Sequence, residues 1–134
     1  MDTNTGLVTR RSAFSVRETI DRLVDALTVK GLLVFARIDH GAGAVQVGAV
    51  LRPTELLIFG NPKGGTPLMQ DQQTAGIDLP IKALAWEDAE GAVWLTVNDV
   101  QWLRTRHGLG AGSEVSLKAM AVGTDALVKA ATEQ

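Results

Sequence analysis

Apolar residues recur along this chain with two periods, and each period predicts a different element. After Ser15, the positions Val16, Ile20, Leu23, Val24 and Leu27 return every three or four residues, which lays them on one face of a helix. Ser15 and Glu18 form a capping box at its start, Glu18 and Arg22 stand one turn apart on its outer side, and Gly31 supplies the stop. From Leu32 to Asp39 the period drops to two. Leu32, Val34, Ala36 and Ile38 face one way, and Leu33, Phe35, Arg37 and Asp39 the other. Both faces begin apolar, so a central strand leaving the core is predicted here.

Further strands follow from the same pattern. Leu7 to Phe14 precedes the helix, Glu55 to Phe59 ends abruptly at Gly60-Asn61-Pro62, and Ile81–Asp88 with Ala92–Val97 reads as a hairpin turning through Glu90-Gly91. Gly41, Gly43 and Gly48 weaken the stretch between Gly41 and Val50 to a short, marginal helix. Lys63-Gly64-Gly65 is read as a loop, with Thr66 as N-cap and Pro67 as first residue of a helix over Leu68–Gln73. Asn98 and Gln101 pair as a cap for a helix ending near His107 and Gly108. Leu117, Met120, Ala121, Leu127, Val128 and Ala131 trace a C-terminal helix, in which Gly123 costs about 1 kcal/mol against alanine and predicts a bend or a late start. The order is β-α-β, three more strands with short helical inserts, then α. That order defines an α+β domain with helices covering one face of a mainly antiparallel sheet.

Composition narrows the class. The 134 residues, 46% apolar and 21% charged, suit one globular domain over 1–134, with polar Met1–Gly6 as a flexible N-terminus. Thirteen Lys and Arg oppose fifteen Asp and Glu, for a net charge of -2. No basic face or like-charge run results, so no nucleic-acid partner is predicted. No apolar stretch approaches the roughly 20 residues that span a bilayer, and the start lacks a signal-peptide core. The expectation is a cytoplasmic protein with no membrane partner. With no cysteine, thiolate metal sites and cysteine nucleophiles are excluded, and no cofactor is implied.

Three groups of residues are candidates for chemistry. Asn61, Lys63, Gly64, Gly65 and Thr66 lie between a strand and a helix start, where backbone donors and the helix dipole favour an anion. The spacing is not that of a Walker loop, and a structural turn whose glycines adopt unusual angles is the competing reading. Asp39, His40 and His107 form an alternative polar site if they converge, although two distant histidines match no metal-ligand spacing and His107 suits a helix C-terminus. Glu87, Asp88 and Glu90 cluster at the hairpin turn, where solvation is the expected role. Ser15, Ser113 and Ser116 read as helix starts, and Trp86, Trp94 and Trp102 as core or interface aromatics.

The stretch Pro53-Thr54-Glu55-Leu56-Leu57-Ile58-Phe59-Gly60-Asn61-Pro62-Lys63-Gly64-Gly65-Thr66-Pro67-Leu68-Met69 resembles the signature of domain-of-unknown-function family 302. Arg37-Ile38-Asp39-His40, Ile77-Asp78-Leu79-Pro80, Trp86-Glu87-Asp88 and Arg106-His107 match on either side. The resemblance implies a β-α-β-β-β-β-α domain of the TATA-binding-protein-like grouping and self-association as a homodimer. It implies no reaction. The glycines of the Gly41–Gly48 segment depart from the helical insert it implies there.

The functional expectation is a non-enzymatic small-ligand-binding or interaction module, with an anionic ligand at the Gly60–Thr66 loop. The alternative is a small metal-assisted or acid-base hydrolase using Asp39, His40 and His107.

Overall fold

In a computed structural model describing residues 5–134, the chain is built around one five-stranded antiparallel sheet. Its strands are β1 (Leu7–Ser12), β2 (Leu33–Asp39), β3 (Thr54–Gly60), β4 (Ile81–Glu87) and β5 (Val93–Asn98), in spatial order β1-β5-β4-β3-β2. The residue pattern and the order implied by the resemblance both count five strands too. The α+β class and the antiparallel sheet stand. Helices α1 (Val16–Val29) and α5 (Glu114–Thr132) pack together, and α1 also packs on β3, β4 and β5. Of three shorter helices, α2 (His40–Gln46) and α3 (Pro62–Asp71) interrupt the strand order and α4 (Val100–His107) follows β5.

The core lies between helices and sheet. Leu57, Ala83, Ala85 and Leu95 on the strands and Ile20, Leu23 and Leu27 on α1 are completely buried, and Leu117 and Leu127 of α5 nearly so. Each leucine so placed contributes about 1.5–3 kcal/mol by leaving water. Ser15 caps α1 by accepting from the Glu18 amide at 3.1 Å. Arg22 does not serve the helix surface as its spacing with Glu18 suggested. It reaches the end of α5 instead, donating through Nη2 to the Ala130 and Glu133 carbonyls, both at 3.1 Å. Those carbonyls lack partners within their own helix, so a cation there is favoured.

Several predicted boundaries move. The segment Met1–Gly6 lies outside the described residues for its first four positions. Gly6 itself is anchored: its backbone has φ +82°, its carbonyl accepts from the Asp99 amide at 2.8 Å, and a Cβ there would stand 2.6 Å from the Trp102 ring. Asp99, not Asn98, caps α4 by accepting from the Gln101 amide at 3.1 Å. The Asn98 side chain accepts from the Lys82 amide at 2.8 Å and ties β5 to β4. α5 begins early, at Glu114, and runs through Gly123.

Two corrections matter most. Residues 62–71 are all helical, so α3 starts five residues before the predicted Thr66–Pro67 boundary and encloses Pro67. Asn61-Pro62 is the same cap-and-proline signal as Thr66-Pro67, and the earlier one closes onto the end of β3. β2, predicted as central, is an edge strand paired only with β3. Its alternation is correct, but Leu33, Val34, Phe35 and Ile38 all remain exposed.

Candidate functional site

The β3–α3 junction begins where Gly60 ends the strand. Asn61 has extended geometry and folds its side chain forward, so that Oδ1 accepts from the Lys63 amide at 3.0 Å. Its carbonyl accepts from the Gly64 amide at 2.9 Å and the Gly65 amide at 3.2 Å. Pro62 has no amide hydrogen to offer. The backbone donors that an anion would need at this turn are therefore already engaged. The glycines serve neither anion nor turn by unusual angles: Gly60, Gly64 and Gly65 are absent from the positive-φ set. Nor does packing require them, since an added Cβ would meet only ordinary contacts. A Cβ would lie 3.5 Å from Pro80 Cβ at Gly60, 3.6 Å from Met120 Cγ at Gly64, and 3.4 Å from Leu79 Cδ1 at Gly65.

An apolar groove lies beside this turn. A hollow of about 210 Å³ lies against the start of α3, walled by Phe35, Met69, Leu79, Pro80, Ile81 and Met120, with Asn61 and Thr66 on its rim. A second hollow of about 320 Å³ shares Gly60, Asn61, Ile81 and Met120 and continues past Phe59 and Leu127, with Lys30 at its edge. Phe35 reaches this site because the β2–β3 register shifts between Val34 and Ala36, leaving Phe35 as the unpaired extra residue. A third hollow, about 440 Å³ between β1 and α5, holds Arg10, whose guanidinium already faces Asp125 at 3.9 Å and Glu133 at 3.8 Å.

The alternative polar set does not assemble. Asp39 caps α2, its Oδ1 accepting from the Ala42 amide at 2.9 Å, and His40 is the exposed first residue of that helix. Asp39 pairs with Glu55, which pairs with Ala85 of β4. His107 lies elsewhere: its Nε2 is 2.5 Å from Asp78 Oδ2, just ahead of the opposite end of β4, and Arg106 donates to Asp78 Oδ1 at 3.1 Å. Among the described residues, no group of three His, Asp or Glu side chains is placed to hold a metal.

Spacing alone did not reveal the aspartates that organise this structure. Asp71 Oδ2 accepts from Ser113 Oγ at 2.7 Å and from the Gly110 amide at 2.8 Å, clamping the end of α3 to the α4–α5 connection. The Ser113 bond, aided by that of Gly110, holds its pKa below the ordinary aspartate value. Asp88 is no mere solvated turn charge. Its Oδ1 accepts from the Glu90 and Ala92 amides and its Oδ2 from Trp94 Nε1, all at 2.9 Å. Chiefly the Trp94 bond lowers its pKa. The Asp-x-Glu-Gly turn was the available signal. Trp86 and Trp94 stack with ring centres 6.3 Å apart, and Trp86 Nε1 donates to Thr96 Oγ1 at 2.9 Å.

Fold and site define an α+β domain with helices on one sheet face and an apolar groove at a strand-to-helix turn. The family model described as "Domain of unknown function DUF302" matches residues 8–127, and the chain belongs to that family. A crystal structure of an uncharacterized conserved DUF302 protein from Bacillus stearothermophilus superimposes with a TM-score of 0.83. It covers 95% of this chain and 98% of that one at 18% identity, which shows the shared fold. The chain is also 57% identical over 126 residues to proteins named fluoride-specific ion channel FluC 1 from Brucella suis biovar 1 and Brucella abortus biovar 1. That match takes in 94% of this chain but only 50% and 47% of those relatives, so the chain spans about half their length. No helix among the described residues is long and apolar enough to cross a membrane.

Proposed function

We propose that this domain is a non-enzymatic binding module whose seat is the groove beside the Asn61–Thr66 turn, and that its ligand is predominantly apolar. One observation carries the reading. The turn spends its amides on the Asn61 cap, while the adjoining hollow is walled by Phe35, Met69, Leu79, Pro80, Ile81 and Met120. Small-molecule sites are typically apolar concavities with a few polar groups at the edge, and methionines adapt such walls to varied shapes. Asn61 and Thr66 then serve as rim groups that orient a polar end, while Lys63 is exposed at the turn and lines neither hollow. The half-length match supports reading the domain as a module that works beside another part in those relatives. The channel activity in their names is not carried over.

Amide shifts in isotopically labelled protein test the reading, with hexanol and inorganic phosphate as rival probes. Hexanol should move the amides of Gly65, Ile81 and Met120, and phosphate should leave Gly64, Gly65 and Thr66 still. Movement by phosphate alone would restore an anion site at the turn. Met120→Trp, which fills the hollow, should abolish the hexanol response.

A further inference from the structure

The groove beside the β3–α3 turn is almost free of charge. The smaller hollow has no ionisable residue in its wall, and the larger has a single one, Lys30, just past the end of α1. No acidic side chain lines either hollow. Among the described residues, the Lys30 ammonium has no ion pair and no hydrogen-bond acceptor. A second feature of the same hollow has no cause within the chain. Gly123 lies midway along the 19-residue α5, where glycine costs helix stability against alanine. Its φ is not positive, and a Cβ built on it would meet no atom within 4 Å. Neither backbone angle nor close packing calls for glycine there. The missing side chain leaves open space along the α5 wall of the hollow, which Met120 and Leu127 continue.

We infer that the groove takes a linear monocarboxylate, a fatty acid of medium chain length. Its head lies at Lys30, and its chain passes Gly123 and Met120 into the hollow beside Phe35 and Met69. The assignment rests on the groove being the binding seat and adds the chemistry of the occupant. A cationic amphiphile finds no carboxylate in these walls, and an uncharged one makes no use of Lys30. A phosphate monoester carries nearly two negative charges and needs more donors than one ammonium supplies. The turn cannot add them, because its amides are engaged. One compact cation on a flexible stem matches one carboxylate, and that stem can lie along the apolar wall while its head stays in water. The hollows share Gly60, Asn61, Ile81 and Met120, so a chain that enters one continues into the other. At about 320 and 210 Å³ they lie at the low end of the range for small-molecule sites, which keeps the chain short of a full-length lipid tail.

Amide shifts in isotopically labelled protein, titrated with octanoate and with octanol, test this. Both ligands should move Ile81 and Met120. Octanoate should also move Lys30 and bind about threefold more tightly, the increment of one solvent-exposed ion pair. Lys30→Gln should remove that increment. Lys118→Gln should keep it, because Lys118 is an exposed lysine of α5 that lines neither hollow. Lengthening hexanoate to octanoate should tighten binding by up to about fourfold per methylene. Gly123→Leu fills the open space without meeting other atoms, so it should melt no lower than wild type. It should weaken both ligands at least ~tenfold, since its side chain occupies the space the alkyl chain needs. Octanol binding as tightly as octanoate, or a Lys30→Gln variant with full octanoate affinity, overturns the carboxylate head and leaves the groove reading in place. A folded Gly123→Leu variant with undiminished affinity overturns the course of the chain. If neither ligand moves Ile81 and Met120, the groove is not the seat, and both readings fall together.

Discussion

β5 and β2 are both apolar strands, yet every second residue of one is buried and no residue of the other is. In β5, Val93, Leu95 and Val97 are buried beneath the helices, and both edges are hydrogen-bonded, to β1 and β4. In β2, the strand has one partner and no fully buried residue. The helices that follow differ in the same way. α4 buries Val100 and Leu103, whereas α2 buries nothing although Asp39 caps it correctly. Local signals build an element; only its neighbours decide whether the element adds to the core.

The contrast can be broken most directly by truncation. Leu95→Ala empties a fully buried site and should destabilise the domain by about 2–5 kcal/mol, read from urea unfolding. Val45→Ala on α2 should stay within about 0.5 kcal/mol at concentrations where the chain is monomeric. Equal effects at the two positions would mean that α2 is packed within a single copy.

A smaller pair of effects sharpens the reading of the β3–α3 turn. Asn61→Ala removes the cap of α3 and should cost about 1 kcal/mol. Gly64→Ala should act in the opposite direction, stabilising by about 0.5–1 kcal/mol, because its added Cβ enters a helix and meets only the flexible Met120. Loss of stability at Gly64→Ala would show that Met120 cannot accommodate the added methyl.

The smallest effect concerns acid. Asp88 has a depressed pKa in the folded state, so its contribution is present above the unfolded value of about 3.9 and is lost as pH falls through the lower folded value. Asp88→Asn keeps an acceptor for Trp94 but cannot titrate. Its unfolding midpoint should therefore fall less than that of wild type between pH 7 and about pH 3. Parallel curves would show that the Trp94 bond does not distinguish the charged form.

Most of the element plan was legible because it rests on local causes. The period of α1, its Ser15 cap, the Glu90-Gly91 hairpin and the left-handed Gly108 stop are all written in neighbouring residues. The start of α3 was misplaced because Asn61-Pro62 and Thr66-Pro67 are equivalent local signals, and the choice between them depends on where β3 ends. Around the candidate site, the turn was legible and the apolar wall beside it was not. Strand, glycines and helix start pointed to Asn61–Thr66, while the apolar wall comes from Phe35, Leu79 and Met120, which are distant in sequence and meet only through packing.

By itself, then, the sequence determined the class of the domain, its helices and strands, and the position of its central turn, since caps, periods and glycines act over a few residues. Tertiary structure alone decided that β2 is an edge, that His107 meets Asp78 rather than Asp39 or His40, and that the turn's amides are spent. Strand order and side-chain convergence depend on which surfaces lie together after folding. No spacing along the chain records that.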